Sequence, residues 1–120
     1  WGRRCGGADV WSRGEPGTAE TRGWVVRAAV DSLGPGGVLV HASRGGLVDE
    51  DALTWALSGC RIAGAGRDVV ATEPRDPGSP LPTLPTVVAT PHIAGVTDEA
   101  NVRVSWMTAE GVLAALETGR

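Results

Sequence analysis

A chain of 120 residues with a formal net charge of −3 has room for one small domain. Hydrophobic residues make up 42% of it, enough for a core and too many for wholesale disorder. It carries no basic stripe, and no apolar run approaches the roughly 20 residues that span a bilayer, which argues against a nucleic-acid partner and against a membrane span.

Residues 1–7, rich in Gly and Arg, have no period and read as a loose end; without a start Met or an apolar leader they suggest a chain begun mid-sequence. Cys5 and Cys60 are too few for a disulfide framework and lack metal-ligand spacing, so the expectation is a reduced, cytoplasmic setting and no metal site. Ala8-Asp9-Val10-Trp11 fits the tail of a short strand, and Glu15-Pro16-Gly17-Thr18 is a loop by its breakers. From Trp24 to Leu33, Val25, Ala29 and Leu33 recur at helical spacing until Gly34-Pro35-Gly36-Gly37 stops the helix.

Val38-Leu39-Val40-His41-Ala42 is a short, nearly continuous apolar run, as in a parallel-sheet strand covered on both faces. Ser43-Arg44-Gly45-Gly46 breaks it. Asp49-Glu50-Asp51 then opens a helix bearing Leu53, Ala56 and Leu57 on one face; its acids complement the helix dipole better than they suggest a metal. Ile62 to Val70 is the next strand, and strand, helix and strand make one βαβ unit, with a right-handed crossover expected. Residues 71–86 hold five prolines and cannot be regular, Thr86-Val87-Val88-Ala89-Thr90 is a further strand, and Pro91 ends it. Thr97 is an N-cap ahead of Asp98 and Glu99, and Val102, Trp106, Ala109, Leu113 and Leu116 form one apolar stripe on a helix reaching the C-terminus.

In an open parallel sheet, ligands bind beyond the carboxyl ends of the strands. Arg44, Glu73 and His92 each follow one of three consecutive strands, so parallel strands would set all three on one rim. Singly, each has an ordinary reading: a solvated arginine, a loop carboxylate, a strand-end imidazole. Together they carry matching chemistry. A guanidinium can grip a carboxylate with two parallel hydrogen bonds. A His–Glu pair makes a general acid/base, because a nearby carboxylate favours the imidazolium.

The strings around these residues resemble a known family. Val40-His41-Ala42-Ser43-Arg44-Gly45-Gly46-Leu47-Val48-Asp49-Glu50-Asp51-Ala52-Leu53 is similar to the V-N-x-(A/S)-R-G-x-x-V-D-E-x-A-L signature of NAD-dependent D-2-hydroxyacid dehydrogenases. Ile62-Ala63-Gly64-Ala65-Gly66-Arg67-Asp68-Val69 with Thr72-Glu73-Pro74 resembles the next block, A-G-A-x-x-D-V-F-x-x-E-P, and Thr90-Pro91-His92-Ile93-Ala94-Gly95 resembles T-P-H-I-(A/G)-G. Order and spacing agree, and Ala8-Asp9-Val10 and Glu20-Thr21-Arg22-Gly23 extend the likeness upstream.

The resemblance implies an α/β fold, a partial Rossmann-type doubly wound parallel sheet whose N-terminal half and substrate domain are absent. Residues 8–96 would be the C-terminal half of the NAD-binding domain, and residues 97–120 an amphipathic helix. It implies His92 as the acid/base, Glu73 as the residue holding its ring, and Arg44 as the grip on a 2-oxo acid. Ala42, Ser43, Arg44, Asp68, His92, Ala94 and Gly95 would line the nicotinamide side. The cofactor would be NAD, with NADP as the alternative, the substrate a small 2-oxo or 2-hydroxy acid, and the parent protein a homodimer.

Departures stand out. His41 replaces Asn, Arg67 an aliphatic residue, Val70 a Phe, and Gly14 stands where the cofactor loop usually has His. Arg67 puts a charge where a buried strand is expected, which is costly unless it is paired or near solvent. No G-x-G-x-x-G opens a helix after a strand, so the chain alone is expected to bind NADH weakly or not at all and to lack turnover. An unpaired strand edge and bare apolar faces should leave it marginal. Two readings compete with an oxidoreductase: an NAD-sensing module on the same fold, and a truncated product with no function of its own.

Overall fold

The structure, a computed structural model, describes residues 9–74 and 76–119. The expected loose end 1–7, and Ala8 at the head of the first expected strand, lie outside them. Four strands, β1 (Val10–Arg13), β2 (Val38–His41), β3 (Gly64–Arg67) and β4 (Val87–Ala89), form one sheet in the order β1-β2-β3-β4. Every pairing is parallel. Helices α1 (Arg27–Asp31) and α2 (Glu50–Ser58) link the first three strands, and α3 (Asp98–Thr118) follows the fourth.

The first helix is shorter than its periodicity suggests. Val25 and Val26 are β-branched, and extended backbone suits them. Val25 is drawn into a parallel bridge with Val48, donating to the Leu47 carbonyl at 3.0 Å while its own carbonyl accepts from Asp49 at 3.1 Å. The helix therefore begins only at Arg27, behind an N-cap whose side chain caps nothing. In α2 the acidic run behaves as expected at its first residue: the Asp49 carboxylate accepts from the Ala52 amide at 3.0 Å. Thr97 caps α3 in the same way, and Gly119 closes it in the left-handed conformation.

The expected strand 62–70 narrows to Gly64–Arg67, although its hydrogen bonding reaches further. Ala63 donates to Gly37 at 2.8 Å and Asp68 to His41 at 3.0 Å. Between β3 and β4 the proline-rich segment runs irregularly, apart from a 3₁₀ turn at Leu81–Thr83.

Register decides which side chains meet. Trp11, Leu39, Ala65 and Val87 form one row across the sheet, facing Val30, Leu53, Ala56 and Leu57 of the two short helices, and this is the core. The next row, Ser12, Val40, Gly66 and Val88, points the other way. There Val40 is 37% and Val88 71% exposed. The sheet is thus covered on one side, and the expectation of a strand buried on both faces at 38–42 fails for Val40. The α3 stripe is likewise bare, with no residue of that helix buried.

The turn after β2 depends on one glycine. A Cβ on Gly45 would lie 1.6 Å from the Val70 carbonyl oxygen, so only glycine lets the turn bearing Arg44 close against the exit of β3.

Candidate active site

Parallel strands bring the three predicted residues to the carboxyl rim. Arg44 follows β2, Glu73 lies beyond β3 and His92 beyond β4. Glu73 and His92 touch: imidazole Nδ1 stands 2.8 Å from Glu73 Oε2, with both side chains a little under half exposed. Facing a carboxylate, Nδ1–H is the donor, which leaves Nε2 as the ring nitrogen available to a ligand. That hydrogen bond from His92 is the largest influence holding the Glu73 carboxyl below its ordinary value. Slight burial opposes it, and the charges of His92 and Arg44 and the Val70 amide add to the lowering.

His92 has a φ of +59°, a strained conformation for a side-chain-bearing residue. Asp68 holds it there. Its Oδ1 accepts from the Thr90 hydroxyl and, at 2.8 Å, from the Ile93 amide, while Oδ2 accepts from the Ala94 amide at 2.8 Å. These bonds span the residues before and after His92 and fix its loop to the end of β3. Burial pulls the Asp68 carboxyl upward, but the Thr90, Ala94 and Ile93 hydrogen bonds and the charge of His92 outweigh it, and the group sits below the usual carboxylate range. Both carboxylate oxygens of Asp68, a residue expected on the nicotinamide side, accept hydrogen bonds from the β4 exit.

Arg44 stands apart from the dyad. Its Nη1 donates to the Ser43 carbonyl at 2.8 Å, and its side chain borders a hollow of about 360 Å³ with Thr18, Thr21, Arg22 and Gly46. A second hollow of about 550 Å³ lies against Glu73 and His92, lined also by Val70, Leu81, Val87 and Thr90. The trio therefore shares a rim, with the dyad on one hollow and the guanidinium on another. Val70, where the resembled signature has Phe, lines the hollow against Glu73.

Three further residues shape the site. His41 is fully buried; its Nε2–H donates to the Arg44 carbonyl at 3.0 Å, and Nδ1 lies 3.4 Å from the Ser43 hydroxyl. It thereby ties down the turn bearing Arg44, the task its ring performs in place of Asn. Arg67 is 5% exposed, and its Nη2 meets Glu50 Oε1 at 2.7 Å. The same Glu50 oxygen accepts from the Ala71 amide at 2.9 Å. Glu50, read as a dipole partner for its helix, thus also ties the end of β3 to the segment that follows it. The signal was there: a charged residue in a buried strand demands an acid, and the neighbouring helix begins with several.

Ala42, Ala94 and Gly95, expected on the nicotinamide side, are exposed at the rim, and Ser43 is half-buried. The phosphate-cradling glycine turn has no counterpart in the sequence.

Four parallel strands with their helices make a Rossmann-like α/β fragment of the kind found in NAD-binding domains, with an imidazole–carboxylate pair on its rim. Residues 4–94 match the family profile described as D-isomer specific 2-hydroxyacid dehydrogenase, NAD binding domain, and the chain belongs to that family. It is 41% identical over 109 residues to the (S)-sulfolactate dehydrogenase of Chromohalobacter salexigens, covering 91% of this chain and 35% of that protein. To the D-3-phosphoglycerate dehydrogenase of Mycobacterium tuberculosis it is 46% identical, covering 91% of this chain and 20% of the relative. The crystal structure of the NADPH-dependent glyoxylate/hydroxypyruvate reductase of Sinorhizobium meliloti, in complex with NADP and malonate, superimposes with a TM-score of 0.87 at 35% identity. That match covers 99% of this chain and 37% of the other. The chain spans about a third or less of the length of these proteins.

Proposed function

We propose that this chain is the catalytic rim of an NAD(P)-dependent oxidoreductase, which interconverts a small 2-oxo acid and its 2-hydroxy acid. The observation that carries the reading is the 2.8 Å contact between His92 Nδ1 and Glu73 Oε2 at the carboxyl edge of a parallel sheet. Relatives named for sulfolactate, phosphoglycerate and glyoxylate or hydroxypyruvate all bear names from that chemical class. Ala42, Ser43, Ala94 and Gly95 would face the nicotinamide ring, which supplies the hydride when bound.

The chain's own residues handle the proton and the charge. Glu73, held ionised by its neighbours, keeps Nδ1 protonated and the ring oriented. That directs His92 Nε2 to give a proton to the substrate's carbonyl oxygen during reduction and to take it back in the reverse direction. Arg44 grips the substrate carboxylate with its guanidinium fork, and its positive charge next to the carbonyl favours the developing alkoxide.

The test is Arg44→Ala in the intact protein. Reduction of 2-oxo acids should fall by two orders of magnitude or more, on the order of the roughly 10²–10³ lost with one transition-state donor, while NADH affinity stays within about twofold. Unchanged turnover would remove Arg44 from the role. A homodimer belongs to the same proposal, supported by the bare α3 stripe, and so does a cytoplasmic, reducing setting, supported by the free, exposed Cys60. No described helix is long and apolar enough to cross a membrane.

A further inference from the structure

We propose that Arg67 is a positioning residue, which sets the approach of Glu73 to His92 from beneath the site. The inference rests on the acid/base reading of that pair. It starts from an oddity: a guanidinium at the end of β3, 3% exposed, on the row that faces the core. Nothing about packing demands a charge there, and burying one is expensive even when it is paired. Its Nε makes no hydrogen bond, and its Nη2 meets Glu50 at 2.7 Å off the ideal hydrogen-bond line.

Arg67 stands at a fork. Its backbone carbonyl accepts from the Thr90 amide at 2.8 Å, two residues before His92. Its side chain draws in Glu50 Oε1, and that oxygen holds the Ala71 amide at 2.9 Å, two residues before Glu73. One residue thus anchors the base of both arms, the His92 arm through the main chain and the Glu73 arm through a shared carboxylate. Asp68, next in sequence, braces only the first arm. Remove the guanidinium and Glu50, one quarter exposed, can turn toward water and release Ala71. The Glu73 arm then loses its tether one residue past Val70, which lines the hollow beside Glu73 and His92.

The experiment compares Arg67→Leu and Arg67→Lys in the intact protein. If Arg67 positions Glu73, Arg67→Leu lowers kcat about tenfold, a fraction of what a general acid/base contributes, with KM for the 2-oxo acid moved less than about twofold. Arg67→Lys, which can still reach Glu50, recovers most of the loss. A second readout does not need turnover: the Glu73 carboxyl, followed by carbon-13 NMR with Glu73→Gln for assignment, titrates closer to its ordinary value in Arg67→Leu. The charged groups around it, His92, Arg44 and Asp68, stay in place throughout. If Arg67→Leu fails to fold by circular dichroism, Arg67→Met, which keeps an unbranched stem, replaces it in both arms.

Unchanged kcat with an unmoved Glu73 midpoint overturns the proposal, as does a loss that Lys repairs no better than Leu, or one that falls on KM. If the wild-type protein reduces no 2-oxo acid, the catalytic reading has failed, and the Glu73 titration alone then decides whether Arg67 positions that side chain.

Discussion

Asp68 shows how much a single residue can hold. Its carboxylate accepts from Thr90, Ile93 and Ala94 and so supports the left-handed backbone of His92. Its folded pKa lies below the ordinary value, so the folded protein holds fewer protons than the unfolded chain in the acid range. The stability it supplies is complete above the ordinary carboxylate range and is lost as pH falls through the lower folded value. Asp68→Asn places an amide NH₂ against at least one donor, costing about 1–3 kcal/mol at neutral pH. Urea unfolding across pH 3 to 7 should show a flatter pH dependence in that variant; an unaltered slope would mean the carboxylate is not the clamp. None of this was legible in the residue string. The motif around Asp68 points to a role near the cofactor, while its hydrogen bonds depend on where the β4 exit arrives, twenty-odd residues later. Arg44, Glu73 and His92 were legible, because strand ends and parallel topology suffice to put them on one rim. The placing of the Arg44 guanidinium on a different hollow from the dyad was not, since it goes with a bond to the neighbouring Ser43 carbonyl.

Among the elements, helix caps and glycine stops carried reliable information, and strand lengths did not. Asp49 and Thr97 start α2 and α3 as their types predict. Val25 misled, because an apolar residue at helical spacing is equally suited to a bridge, and the partner Val48 lies too far along the chain for periodicity to reveal it. The turn joining β2 to α2 belongs to this scale as well. Gly45 is pressed against the Val70 carbonyl so closely that a methyl group has no room. Gly45→Ala should therefore push the Arg44 turn off the β3 exit, at a cost of about 3 kcal/mol for the backbone shift. A thermal melt of the intact protein measures it, and a midpoint within a degree of wild type would show that the turn can slide.

Considered whole, the molecule is a sheet layered on one side. Helices cover one side of the sheet while Val40 and Val88 remain open on the other, and Trp106, Leu113 and Leu116 stand exposed along α3. Among the described residues, β1 pairs with β2 alone. The resemblance implied such an imbalance, as a partial doubly wound sheet with bare apolar faces. The 120-residue chain on its own should then bind NADH no more tightly than the millimolar range, at or weaker than about −4 kcal/mol, and should self-associate as its concentration rises. Fluorescence titration with NADH and light scattering read the two effects; a micromolar dissociation constant would show that the nicotinamide end suffices.

The irregular connection between β3 and β4 has its own consequence. Residues 76–80 sit between two fixed posts, the Glu50–Ala71 bond on one side and the Thr90–Arg67 bond on the other. Changes in that stretch reach the hollow, which Ser79 lines, while both posts stay in place. The fold therefore separates a segment free to be rewritten from one that is not, and new substrate preferences have a place to arise at little risk to the chemistry.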